Sequence, residues 1–415
     1  MLKSPEIIIF ESFLYFLFKL EQKLFNIDKK HGAQNYKPLP VILSKGEGEY
    51  LYDINDKQYY DFLSSYSSIN QGHCHPKLVE TMKKECEKLT LCSRAFYNQN
   101  LIKMYEFMHN KFNYDKCLPM NSGVEACETS IKLARLWGYK EKGIPNNEAE
   151  IIVARNNFWG RSIAACSSSS DPTCYNNFGP LLKGFIFVNY NNIKELEIIL
   201  KLNKNIAAIM LEPIQGEAGI VIPKKDYLLK VESLCKKHNV LLICDEVQTG
   251  IGRTGNMLAS NIVTPDMIVL GKALSGGMMP VSCVLGNNNV MDLLEPGTHG
   301  STYGGNPLAS ALVPVALDII TKEGLMENAK VQGSLFRREM QEYVKRGILK
   351  DVRGVGLLNA IEFEEGKKAE EVVNNFMKNG LLTKVTRDDT IRMCPPLTIK
   401  KKQMEECLEI IKKSI

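Results

Sequence analysis

The chain has 415 residues, of which 44% are hydrophobic and 24% charged. This balance excludes a disordered, collagen-like or disulfide-scaffold protein and suits one large α/β unit with a smaller companion. Fifty-two basic residues against 47 acidic ones leave +5, too small a bias to imply nucleic acid as a partner, and 12 cysteines without metal-like spacing read as free thiols in a reducing compartment.

In chain order, residues 7–20 are strongly apolar, but Glu11 interrupts them and the run falls short of the roughly 20 residues a membrane span needs. The first 30 residues hold no Arg and four acids (Glu6, Glu11, Glu21, Asp28), unlike a mitochondrial leader. A helix packed on the protein itself is expected there, with membrane attachment as the minority reading. The resulting expectation is a cytoplasmic protein, with the mitochondrial matrix as the alternative. His75-Pro76 opens a predicted helix with Leu78, Val79, Met82, Cys86 and Leu89 on one face. Ser122 and Glu125 spell a capping box before a second helix, whose inner face is Val124, Cys127, Ile131 and Ala134. Apolar runs at 151–153, 185–188, 207–211, 240–244 and 267–270, separated by helical patterns, read as buried parallel strands. A mostly parallel sheet with helices on both faces follows.

Ligands of such sheets sit beyond the carboxyl ends of the strands. Asp245 and Glu246 follow one run there, Gly271 and Lys272 another, and Glu212-Pro213-Ile214-Gln215-Gly216-Glu217 a third. A lysine after a strand is ordinarily a solvated charge, but Lys272 is surrounded by Gly271, Ala273, Ser275, Gly276 and Gly277, which leave space around its amine. The helix start Ser122-Gly123-Val124 offers free amides to an anion. A lysine, a carboxylate and a phosphate cradle together describe a pyridoxal phosphate site. Gly250 to Gly255 also spells G-x-G-x-x-G, but the glycines stand too far from the strand and no acid follows at the right distance. Gly271-Lys272 fails as a phosphate-binding P-loop, because Asp266 stands where its first glycine belongs. His73-Cys74-His75 reads as a loop with satisfied imidazoles rather than a metal site.

The stretches Asp245-Glu246-Val247-Gln248-Thr249-Gly250, Gly271-Lys272-Ala273-Leu274-Ser275-Gly276-Gly277, Leu211-Glu212-Pro213-Ile214-Gln215-Gly216-Glu217 and His299-Gly300-Ser301-Thr302-Tyr303-Gly304-Gly305 resemble class III aminotransferases of PLP fold type I. The segments 61–76, 93–98 and 35–40 are similar to the ornithine aminotransferases among them. The resemblance runs from about His31 to the C-terminus.

It implies a large PLP-binding domain over 67–311, a small α+β domain over 312–415, and an N-terminal segment, 1–66, contributing to the small one. Lys272 would form the Schiff base with pyridoxal 5'-phosphate and move the proton, and Asp245 would keep the ring nitrogen protonated. Phe158 would stack on the ring, Gln248 would reach its phenolic oxygen, and Gly123 and Val124 would hold the phosphate. Thr302 would arrive from the second subunit of a homodimer. For L-ornithine, Tyr36 would hold the α-amino group, Arg161 the carboxylate, and Tyr66 would shape the distal pocket. For 2-oxoglutarate, Arg392 would bind the carboxylate beside the keto group, with Glu217 neutralising it while ornithine is bound. The implied activity is ornithine δ-amino transfer. The alternatives are a sibling acting on acetylornithine or 4-aminobutyrate, an aminomutase, and a PLP-binding scaffold without turnover. Cys166 and Cys174, flanking a polar loop near Arg161, are a candidate reversible disulfide.

Overall fold

The computed structural model describes residues 19–364, 366–387 and 389–415. Most of the apolar N-terminal run lies outside the described residues, which begin inside a helix reaching residue 31. Three sheets follow. The first orders β1 (Leu43–Glu47), β2 (Tyr50–Asp53), β3 (Gln58–Asp61) and β13 (Leu381–Leu382), so the two ends of the chain share it. The second has seven strands in the order β4 (Lys116–Met120), β10 (Ser282–Gly286), β9 (Met267–Leu270), β8 (Leu241–Asp245), β7 (Ile206–Leu211), β5 (Glu150–Ala154) and β6 (Phe185–Val188). The third orders β11 (Asp351–Val355), β12 (Leu358–Glu362), β15 (Thr390–Met393) and β14 (Val385–Arg387), all antiparallel.

All five apolar runs are strands of the large sheet, and they pair in parallel. Strand β10 is inserted antiparallel between β9 and β4, which makes the sheet mixed. Successive residues of a strand point to opposite faces, and the packing follows that alternation. Ile151, Val153, Leu241 and Ile243 pack with Cys127, Ile131, Ala134 and Trp137 of the helix Gly123–Lys140. Ile152, Ala154, Leu242 and Cys244 pack on the other side with the helices Ile193–Leu202 and Tyr227–His238. The capping box at Ser122 and Glu125 forms as expected. The helix after His75 is shorter than its apolar period suggests. It ends at Cys86, and Leu89, beyond the cap, is exposed.

The small sheet β11–β14 packs its inner face, including Ile361, Ile391 and Met393, against the long helices Pro307–Lys322 and Leu325–Lys345. This packing sets β15, and Arg392 on it, beside the carboxyl ends of the parallel strands. His73 pairs with Asp61 at 2.7 Å and His75 with Glu323 at 3.2 Å, so each of these imidazoles has a carboxylate partner.

Candidate active site

Strands β8 and β9 are parallel neighbours, with Asp245 opposite Val269, so Asp245 and Lys272 emerge side by side at one edge. Gly271 follows β9, and Lys272 opens a short 3₁₀ turn, Lys272–Ser275, with φ +46. That conformation is costly for a lysine, and such residues concentrate at functional sites. Burial lowers the pKa of the amine, against the opposing pull of Glu217. No ion pair holds Lys272 among the described residues, which leaves the amine in reserve.

Asp245 is 5% exposed. Its Oδ1 accepts the Val247 N–H at 3.0 Å and its Oδ2 the Cys127 thiol at 3.5 Å. Burial pushes the carboxyl up to about 6. Glu212, directly after β7, is a second buried acid. Its Oε1 accepts the Phe158 N–H at 3.0 Å and its Oε2 the Gly216 N–H at 3.0 Å. Burial, helped by Asp245, pushes it up to about 8.

The anion cradle is the start of the helix Gly123–Lys140. Glu125 Oε2 takes the N–H groups of Asn121 and Ser122, and Ser122 Oγ takes that of Glu125. The Gly123 and Val124 amides are first-turn donors with no intrahelical acceptor. A Cβ on Gly123 would lie 3.0 Å from Val247 Cγ1, and one on Gly160 2.5 Å from Val124 Cγ2, so this corner has room only for glycine backbone. Phe158 stands on the loop after β5, with the Arg161 guanidinium 5.7 Å from its ring.

Across the gap, Arg392 is 1% exposed. Its Nη2 donates to Glu217 Oε1 at 2.7 Å and to Thr386 Oγ1 at 3.2 Å, while its buried Nε and Nη1 have no partner among the described residues. The Tyr66 ring centroid lies 5.2 Å from the guanidinium carbon. Burial works against the Glu217 charge, but Arg392 and Lys272 outweigh it and hold that carboxyl below its usual range. Gln248 Nε2 donates to the same Glu217 oxygen at 3.0 Å, and its own Oε1 is buried with no donor among the described residues. Gly216 makes this possible, since a Cβ there would sit 1.6 Å from Gln248 Oε1.

The structure therefore gathers Lys272, Asp245, Gln248, Glu217, Arg392 and Tyr66 around one gap, with Phe158 and the Gly123-Val124 helix start at its edges. Tyr36 stays outside it, and Thr302, expected to reach a second subunit's site, lies outside this chain's own. Tyr36 is 70% exposed, with Lys384 Nζ 5.8 Å from its ring. Thr302 is exposed, next to Ser301, whose Oγ accepts from Asn121 Nδ2 at 2.9 Å. Cys166 and Cys174 are free, buried thiols on two short helices, Ile163–Ser167 and Pro172–Tyr175.

Sequence reasoning missed Glu212, Cys127 and Val247 as members of the site. Glu212 carries the signal that marks Asp245, an acid directly after a buried strand. Cys127 lies on the predicted inner face of its helix, where nothing separates it from ordinary core. The residues fit pyridoxal phosphate: an open helix start for its phosphate, an amine with no ion pair, a buried carboxyl, the second N–H of Gln248 Nε2 and the unspent N–H groups of Arg392.

A family model described as aminotransferase class-III matches residues 31–415. A relative named probable ornithine aminotransferase, mitochondrial, from Caenorhabditis elegans is 52% identical over 396 residues, covering 95% of this chain and 93% of its own. The crystal structure of the ornithine aminotransferase from Toxoplasma gondii ME49 is 45% identical with a TM-score of 0.93, covering 95% and 94%. That of an acetylornithine aminotransferase from Elizabethkingia anophelis is 47% identical with a TM-score of 0.87, covering 95% and 98%. With these likenesses spanning nearly its whole length, the chain belongs to the class III aminotransferases.

Proposed function

We propose that this chain is an ornithine δ-aminotransferase, which moves the δ-amino group of L-ornithine to 2-oxoglutarate and yields glutamate-5-semialdehyde (which cyclises to pyrroline-5-carboxylate) and glutamate in two alternating half-reactions. The observation that carries the reading is the buried Arg392, which turns one nitrogen to Glu217 and keeps two others, Nε and Nη1, unspent among the described residues. A single-carboxylate diamine and a dicarboxylate keto acid must use one pocket in turn. A guanidinium that a neighbouring carboxylate can neutralise or release serves both.

Bound pyridoxal phosphate supplies an electron sink for the carbon that loses its proton. The chain does the rest. Lys272 Nζ, its pKa lowered by burial, would take that proton as a base and deliver it to the cofactor carbon C4′, two bonds away. Asp245 holds a proton on the ring nitrogen, and Glu212 fixes the backbones of Phe158 and Gly216 on either side. Gly123 and Val124 bind phosphate through their amides, Gln248 takes the phenolic oxygen, and Thr302 comes from the second subunit of a homodimer. With ornithine in place, Glu217 stays on Arg392, Arg161 takes the carboxylate, and Tyr36 swings in from the rim to meet the α-amine. With 2-oxoglutarate, Glu217 turns away and the free donors of Arg392 take the carboxylate beside the keto group.

The large unit is assigned to 67–311, with 312–415 and 1–66 forming the smaller one, and the setting to the cytosol or the mitochondrial matrix. Among the described residues no helix is long and apolar enough to cross a membrane. The test is spectroscopic. L-ornithine should abolish the long-wavelength band of the purified, cofactor-loaded protein, and 2-oxoglutarate should restore it. N-acetylornithine or 4-aminobutyrate doing so better would move the chain to a sibling activity, and no response to any amine would leave only a cofactor-binding scaffold.

A further inference from the structure

Between β3 and the helix Pro76–Cys86 the backbone takes an unusual path. Ser64, Ser65, Tyr66 and Ser67 have φ of 47, 45, 60 and 75 degrees, four consecutive left-handed residues without a glycine. In that conformation the Cβ of an L-residue crowds its following carbonyl, so such residues normally occur singly and as Gly, Asn or Asp. The serine hydroxyls do not compensate, since Ser64 Oγ and Ser67 Oγ are buried without a partner among the described residues. Backbone bonds close the turn on itself, Tyr66 N–H to Leu63 O at 3.0 Å and Ser68 N–H to Ser64 O at 2.9 Å, but they leave its entry at Leu63 and Ser64 to be fixed from outside.

Asp61 is that holder. It is 3% exposed at the end of β3. Its Oδ1 accepts the N–H of Leu63 at 2.8 Å and of Ser64 at 2.7 Å. Its Oδ2 meets His73 Nε2 at 2.7 Å, and His73 is itself fixed by a backbone bridge to Gly48. The entry of the turn is tied to the strand of Arg392, since Phe62 O accepts the Cys394 N–H at 2.8 Å. The outcome is the Tyr66 ring laid against the Arg392 guanidinium. A right-handed turn leaving Leu63 would carry that ring elsewhere.

We infer that Asp61 is a positioning residue for the substrate pocket: its carboxylate, braced by His73, holds the strained left-handed turn that keeps Tyr66 against Arg392. The inference rests on the reading of Tyr66 and Arg392 as substrate residues.

The experiment compares the cofactor-loaded wild type with Asp61→Ala, with and without Ser65→Gly, by KM and kcat for both substrates and by cofactor affinity. Ser65 is exposed, and glycine occupies its backbone conformation without steric cost. Asp61→Ala should raise both KM values about tenfold with kcat little changed, and adding Ser65→Gly should recover most of that loss. Cofactor affinity should stay constant throughout, because Lys272 and Asp245 are untouched. Unchanged KM values, a rise that Ser65→Gly does not rescue, or a parallel fall in cofactor affinity would overturn the proposal. If Asp61→Ala does not fold, Asp61→Leu, which fills the space of the carboxylate but accepts neither amide, carries the same comparison with the same outcomes. Arg392→Lys separates the two levels. A raised KM for 2-oxoglutarate there, with none in the Asp61 variants, overturns the clamp alone; no effect at Arg392 overturns the pocket on which it depends.

Discussion

The two sides of the site are built differently. Asp245 and Lys272 stand 27 positions apart at the carboxyl ends of adjacent strands of one buried sheet, and backbone pairing of those strands brings them together. Arg392 and Glu217 are separated by 175 positions, on a strand of one sheet and a loop of another, and meet only through their side chains. Arg392 is almost wholly buried, whereas the Glu217 side chain is 27% exposed, so one partner is fixed and the other can move. The chemical side is thus set by the most rigid part of the fold, while the selecting side is a pairing that a substrate can compete for.

The most severe way to test the rigid side is Lys272→Arg, which keeps the charge and removes a usable base. Transamination should fall by on the order of 10²–10⁴-fold, and the long-wavelength cofactor band should be lost, as read by stopped-flow and absorption spectra. A variant that still turned over would mean that proton transfer runs through another group.

The selecting side breaks more gently. Glu217→Gln removes the charge that neutralises Arg392 while keeping its shape and a hydrogen-bonding oxygen. Losing a charge-assisted bond corresponds to roughly ten- to hundredfold in binding. That change should appear as a lower kcat/KM for ornithine and a higher one for glutamate as amine donor. Equal losses for both donors would make the pair structural rather than selective.

A pH measurement sharpens the same contrast. The Asp245 carboxyl, raised to about 6 by burial, is ionised above that value, and only then would it pair with a protonated ring nitrogen as proposed. The affinity of the cofactor-free chain for pyridoxal phosphate should drop about tenfold between roughly pH 7 and 5, beyond the loss seen in Asp245→Asn. The phosphate of the ligand titrates in the same range, but equally for both proteins. For folding the sign reverses: the native carboxyl binds its proton more tightly than the unfolded one, so this group adds stability as pH falls from 6 toward its unfolded value of about 4. A pH dependence identical in the two proteins would remove Asp245 from ring binding.

The contrast also explains what could be read from the chain alone. Buried parallel strands are continuous apolar runs, so the acid and the lysine at their ends were visible as punctuation. Strand β10 reads Ser-Cys-Val-Leu-Gly and β4 carries Pro119, so neither gives that signal and the edge of the sheet went unread. The pairing of Arg392 with Glu217 was accessible only through resemblance, because no local pattern encodes a contact over 175 positions. The left-handed turn at Ser64–Ser67 was hidden for another reason. Serine has no preference for that conformation, and its cause, Asp61, acts through tertiary hydrogen bonds.

The smallest expected effect concerns Cys166 and Cys174, whose helices pack together close to Arg161. The Cys166 thiol donates to the Arg161 carbonyl at 3.7 Å, and burial raises its pKa, with Cys174 adding to the rise. Oxidising the pair, with two protons and two electrons passing to a disulfide oxidant, would remove that donor and loosen the backbone presenting the Arg161 guanidinium. A neutral hydrogen bond of this kind corresponds to about two- to tenfold in binding. Treatment with oxidised glutathione should therefore raise the KM for ornithine by that factor, reductant should reverse it, and Cys174→Ala should be indifferent to both. The KM for 2-oxoglutarate reports on whether the effect is local. The backbone from Asn157 to Arg161 also carries Phe158, so a change confined to ornithine would place the lesion at Arg161, whereas a change in both substrates would move it to Phe158 and its proposed stacking on the cofactor. Equal activity with and without reductant would show that the two buried thiols are core residues and nothing more.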